Sequence, residues 1–209
     1  MNLIDIHAHL DFKDYDADRA AVIRRTRAAE CGVINVGVDL ATSKAAIKLA
    51  EENDLMWATV GIHPHSAEAS RGRPTDTSHQ GPSLMTDNNW SELEKLAAHD
   101  KVVAIGECGL DYFRSNESLR HEVSKLKERQ QKIFERQIEL AIKLDKPLML
   151  HIRDARPTEQ SFGRAYDEVW EILKRFPASM AGKPAARGNV HFFAGNVEQA
   201  KQFLDLGFT

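Results

Sequence analysis

"LIDIHAHLDF", residues 3–12, sets two histidines one residue apart at the end of an apolar run and follows them with an acid. Side chains alternate along a strand, so residues i and i+2 share a face. Leu3, Asp5, His7 and His9 then line one side, and Ile4, Ile6 and Ala8 the other. Two imidazoles on one face can chelate a metal ion. By itself such a pair is weak evidence, because most histidines are simply hydrogen-bonded. The fold turns on whether later strands end the same way.

They do. Strand-like runs "VINVGVD", "WATVGIH", "VVAIGECG", "PLMLHIR" and "NVHFFAG" follow "NLIDIHA", each separated from the next by a helical pattern. One of those helices carries Ile133, Phe134, Ile138 and Ala141 at helical spacing, and another carries Val169, Trp170 and Leu173. Six β–α repeats specify a parallel sheet with helical crossovers. At or near the strand ends stand His7, His9, Asp39, His63, Glu107, His151 and His191. An open sheet would spread them along its length, whereas a barrel gathers them at its C-terminal mouth. The expected fold is therefore α/β, a (β/α)8 TIM-type barrel of which this chain holds about six β/α units, in one domain over residues 1–209.

Residues 66–90 are rich in Ser, Arg, Gly, Pro, Thr and Asp without periodicity, and read as an inserted surface loop. Ser91 and Glu94 have capping-box spacing, which predicts a helix start there. Asn196 and Gln199 suit the cap of the last helix.

The 209 residues carry a formal charge of −3, which excludes a global basic footprint for nucleic acid. Any such contact must be local or use metal ions against the phosphates. Two cysteines, Cys31 and Cys108, form no CxxC pair and no disulfide framework, which fits a reducing cytoplasm. No secretory leader pattern and no apolar run near 18 residues is present, so no membrane contact is expected. No obligate protein partner is evident.

Glu107 lies in an apolar run, where an ionised carboxylate needs a strong partner. A cation would be one. His151 and His191 repeat the oddity of an imidazole in an apolar strand. Imidazoles and carboxylates together suit Zn, Mn, Fe and similar divalent ions, and several ligands can hold two. Two ions sharing a carboxylate suit hydrolysis.

"DIHAHLD", "VGIHPH", "GECGLDY", "LHIRDA" and "HFFAG" together resemble the TatD family of metal-dependent deoxyribonucleases, in the same order and with family-like spacing. "GECGLDY" is the most specific of these. The resemblance covers the chain apart from residues 66–90 and 177–188. It implies two-metal hydrolysis of phosphodiesters (Mg, Mn or Zn), with DNA as substrate, single-stranded or from its 3′ ends. It implies that His7, His9 and Glu107 hold one ion, and that Glu107, as bridging catalytic residue, shares a second with His151 and His191. His63, Tyr112 and Arg153 would border the substrate, Arg153 as a phosphate partner. His65, Asp111 and Asp154 match the motifs without an assigned role.

The family barrel has eight strands, and its last motif carries an Asp in a stretch like "ETDAP". No such motif occurs here, and roughly 50 residues are short of a typical barrel. The chain is accordingly expected to be C-terminally truncated, with its last strands missing. Two other functions compete. One is hydrolysis of a small molecule or another ester, such as an aminoacyl-tRNA ester, by the same centre. Small-molecule barrels of this type often bridge their metals with a modified lysine on strand four, where this chain has Glu107. The other is an inactive truncated product.

Overall fold

The computed structural model describes residues 3–67, 86–113, 120–155, 164–177 and 185–209. Six strands run in chain order: β1 (Leu3–Ala8), β2 (Cys31–Val36), β3 (Met56–Val60), β4 (Val102–Asp111), β5 (Leu148–Arg153) and β6 (Gly188–His191). The helices between and after them are α1 (Arg19–Ala28), α2 (Leu40–Glu51), α3 (Asp87–Ala97), α4 (Arg120–Leu144), α5 (Ala165–Leu173) and α6 (Val197–Asp205). Every neighbouring pair is parallel and the sheet order is β1-β2-β3-β4-β5-β6. Strands buried on both faces need apolar residues almost throughout. β4 meets this most fully, with Val103 its one residue that is not buried.

In a flat sheet the five gaps between β1 and β6 would separate them by roughly 24 Å. Instead the rings of His7 on β1 and His191 on β6 stack with centroids 3.4 Å apart. The sheet therefore curls until its two edges meet at the mouth, a nearly closed barrel with helices outside. Beyond β6, Thr209 N–H donates to Gly188 O and Val190 N–H donates to Thr209 O, so the chain's last residues pair along that edge. β1 remains the least covered strand, with Leu3 71% exposed.

Two strands bulge where they bear a candidate ligand. Gly106 pairs with Met149 and Cys108 with Leu150, leaving Glu107 as an extra residue in β4. Asp5 pairs with Val33 and Ala8 with Asn35, so β1 also gains one residue around His7. Bulges re-aim side chains. Here they turn Glu107 and His7 toward the barrel mouth.

The last helix starts as its sequence predicts, with Asn196 and Gln199 forming a reciprocal capping box. α3 does not. It begins at Asp87, capped by Thr86 accepting from Asn89 N–H, because starting four residues before Ser91 lets Trp90 join Leu93 and Ala97 on the buried stripe. Of the stretch 66–90 expected as a loop, residues 68–85 lie outside the described residues. Asp39, counted among the strand-end polar groups, caps α2 in a capping box with Thr42. No helix among the described residues is long and apolar enough to cross a membrane.

Candidate metal centre

His9 Nδ1 lies 3.0 Å from Val36 O, and His7 Nδ1 lies 3.1 Å from Met149 Sδ. A carbonyl oxygen and a thioether only accept, so both Nδ1 atoms donate and each neutral ring carries its lone pair on Nε2. Those two Nε2 atoms face each other at 3.2 Å. Glu107 Oε2 completes the triangle, 3.6 Å from His7 Nε2 and 3.8 Å from His9 Nε2. Donors each about 2.1 Å from a tetrahedral ion stand about 3.4 Å apart. The triangle fits a divalent ion with little movement.

The other carboxylate oxygen of Glu107 faces a different set. Oε1 is 2.9 Å from His151 Nδ1 and 3.9 Å from His63 Nε2. His63, Glu107 and His151 offer donor atoms all within 4.8 Å of one another, as do His7, His9 and Glu107. One buried carboxylate, 4% exposed, thus serves two clusters with its two oxygens.

His151 is held from both sides. Its Nε2 is 2.9 Å from Asp111 Oδ2, opposite the Glu107 contact at Nδ1. Burial alone would lower its pKa, but the hydrogen bonds to Asp111 and Glu107 raise it to about 9. Burial would raise Glu107, yet the His151 hydrogen bond and the nearby imidazoles hold it at about 2. Desolvation lowers His7 to about 4 and His63 to about 3. Both are therefore neutral near pH 7. Asp111, 2% exposed, is held well below the ordinary carboxylate range against its own burial, by the hydrogen bond from His151 and the His65 imidazole close beside it. His65 Nε2 sits 3.0 Å from Asp111 Oδ2 but off the hydrogen-bond direction, a buried polar atom with no satisfied bond.

Of the residues singled out in the sequence, His7, His9, Glu107, His151 and His63 come together. His191 also reaches the mouth, stacked on His7, but belongs to neither three-residue set. His63, expected to border the substrate, instead takes the place beside Glu107 and His151 that the resemblance assigned to His191. Its Nδ1 accepts the His65 N–H, so Nε2 carries the ring hydrogen and points at Glu107. Arg153 is exposed at the end of β5, its guanidinium 3.6 Å above the Phe113 ring. Tyr112 does not fit a place against substrate: it is buried, and its hydroxyl donates to Glu168 Oε2 at 2.7 Å. Lys127 and Gln131 of α4 converge on the same Glu168. Asp154 accepts the Tyr166 N–H at the start of α5. Sequence reasoning left Asp111 without a role. Its signal was an acid placed four residues after Glu107 in an apolar strand.

A parallel β/α barrel with imidazoles and a shared carboxylate at its strand ends belongs to the class of barrels built around a metal-binding mouth. The family is narrower. Residues 4–209 match the family model described as TatD related DNase, and the chain belongs to that family. It is 33% identical over 207 residues to the uncharacterized metal-dependent hydrolase YabD of Bacillus subtilis, covering 99% of this chain and 66% of that protein. It is 32% identical over 209 residues to the 3′-5′ ssDNA/RNA exonuclease TatD of Pantoea ananatis, again over 99% of this chain and 66% of the relative. The crystal structure of YjjV, a TatD homologue from Escherichia coli K12, superposes with a TM-score of 0.70 at 28% identity, covering 99% of this chain and 66% of that one. The chain thus spans just under two thirds of the length of these relatives.

Proposed function

We propose that this chain is a metal-dependent hydrolase of the TatD type, cleaving phosphodiester bonds of DNA with two divalent ions, from the 3′ ends of single strands. The observation that carries this reading is Glu107, whose Oε2 faces His7 and His9 while its Oε1 faces His151 and His63. A carboxylate shared in this way is what a two-ion centre requires. The relative named as a single-stranded DNA/RNA exonuclease supports the substrate class.

His7, His9 and Glu107 would hold one ion. Glu107 and His151 would hold the other, with His191 the further candidate ligand and His63, its Nε2 already carrying the ring hydrogen, beside them. Bound divalent ions, Mg, Mn or Zn, supply Lewis-acid charge at the phosphoryl oxygens and an acidified water. The protein supplies the geometry. Asp111 keeps His151 aimed at Glu107, and His63 presents its Nε2–H beside the same carboxylate. Arg153, exposed at the rim, offers a planar guanidinium to an incoming phosphate.

The test is incubation of the 209-residue chain with 5′-labelled single-stranded DNA and Mg, Mn or Zn in turn. Progressive shortening from the 3′ end, abolished by EDTA, is expected with at least one metal. DNA left intact with all three, alongside hydrolysis of an aminoacyl-tRNA ester, would transfer the site to the competing ester reading.

A further inference from the structure

Two buried polar side chains of α4 have no part in the reading above. Gln130 and Gln137 are 1% and 0% exposed, on the stripe that also carries Ile133, Phe134, Ile138 and Ala141. Each amide closes a ring of two hydrogen bonds with one backbone residue. Ile62 N–H donates to Gln137 Oε1 at 2.7 Å, and Gln137 Nε2 donates to Ile62 O at 3.0 Å. Asp111 N–H donates to Gln130 Oε1 at 3.0 Å, and Gln130 Nε2 donates to Asp111 O at 3.0 Å. The two glutamines lie seven residues apart, about 10.5 Å along one helix face.

Both clasped residues adjoin the same half of the centre. Ile62 precedes His63, and Asp111 contacts His151 and His65. Beyond Val60 the chain has left the sheet, and its amides find other acceptors. Gly61 N–H goes to Ser43 Oγ and His63 N–H to Val38 O, with Ile62 held between them by Gln137. A paired buried amide adds little net stability, while an unpaired one is costly. Leucine or methionine would fill the stripe but leave the N–H and C=O of Ile62 or Asp111 without those partners. What an amide adds is direction, fixing the peptide plane on which the next ligand-bearing residue hangs.

We infer that Gln130 and Gln137 are positioning residues for the Glu107–His151 half of the centre, acting through the backbone of Asp111 and Ile62. The inference rests on the reading that the cluster binds divalent ions. Its test is calorimetric titration of the 209-residue chain with Mn2+, for the wild type, Gln130→Met, Gln137→Met and the corresponding Glu variants. Wild type should take up two ions. Each Met variant should bind one ion within about twofold of wild-type affinity and the other about tenfold or more weakly, the range found when partners of metal ligands are removed. A buried Glu stays protonated, so its carboxyl can accept and donate as the amide does. The Glu variants should therefore recover most of the lost affinity. Equal weakening of both sites in step with lost thermal stability, or no weakening at all, would overturn the inference alone. Should one Met variant fail to fold, the other carries the same comparison. A wild type that binds no Mn2+ would overturn the two-ion reading and this inference with it.

Discussion

Replacing Glu107 by Gln removes the charge common to both clusters while keeping its volume. The carboxylate oxygens stand 3.6 and 3.8 Å from the His7 and His9 Nε2 atoms and 2.9 Å from His151 Nδ1. Each cluster thus loses an anionic donor, and the amide keeps one neutral oxygen for at most one of them. Four-ligand zinc sites bind with about 10–16 kcal/mol, or roughly 2.5–4 kcal/mol per ligand. Losing one ligand per cluster should weaken each ion by roughly 3 kcal/mol, a factor of over 100. The fall should appear at both sites together, which no single-histidine variant would produce. Titration calorimetry with Mn2+ and Zn2+ measures it directly, and hydrolysis of single-stranded DNA should be lost in parallel. Glu107→Gln that still binds two ions within tenfold of wild type would refute the shared-carboxylate argument.

The remaining predictions concern protons, substrate and backbone. His151, raised to about 9, must give up a proton to become a ligand at pH 7, whereas His7, at about 4, is already neutral. Calorimetry in buffers of different ionisation enthalpy should show about one proton released by the ion that engages His151. Without metal, the stabilisation from the raised His151 pKa is complete below about 6.5 and gone above about 9, so the metal-free melting temperature should fall across that window. Arg153→Ala should raise KM for DNA about tenfold or more with metal content unchanged, the scale of one charge-assisted phosphate contact. Gly109 has φ +138° and a Cβ there would sit 2.1 Å from His151 O, while Gly207, at φ +85°, has open space around it. Gly109→Ala should therefore cost at least about 2 kcal/mol in urea unfolding and Gly207→Ala only about 1.

The alternation of apolar runs with helical patterns was enough to read six parallel β/α units, and the polar residues at strand ends were enough to curl them into a barrel. His7, His9, Glu107 and His151 were legible for the same reason, each being a ligand type in an apolar strand. What the sequence hides is aim. Asp39 looked like its neighbours at strand ends, yet it points into its own helix start and caps α2. Glu107 reaches both clusters only because β4 gains a residue there, and bulges leave no mark in a hydrophobic pattern. His191 meets His7 because the sheet's edges converge, a consequence of curvature accumulated over six strands. Gln130 and Gln137 did carry a signal, as polar residues falling on the buried stripe of α4. Reading that stripe only for its apolar members passes over them.

The central claim is that one carboxylate joins two metal sites at the barrel mouth. A crystal of this chain soaked in Mn2+ and measured at the manganese absorption edge tests it most directly. The account predicts two anomalous peaks about 3.5–4 Å apart, one beside His7 and His9 and one beside His151, each touching a different oxygen of Glu107. A single peak, or two peaks of which either lies out of reach of Glu107, would contradict it.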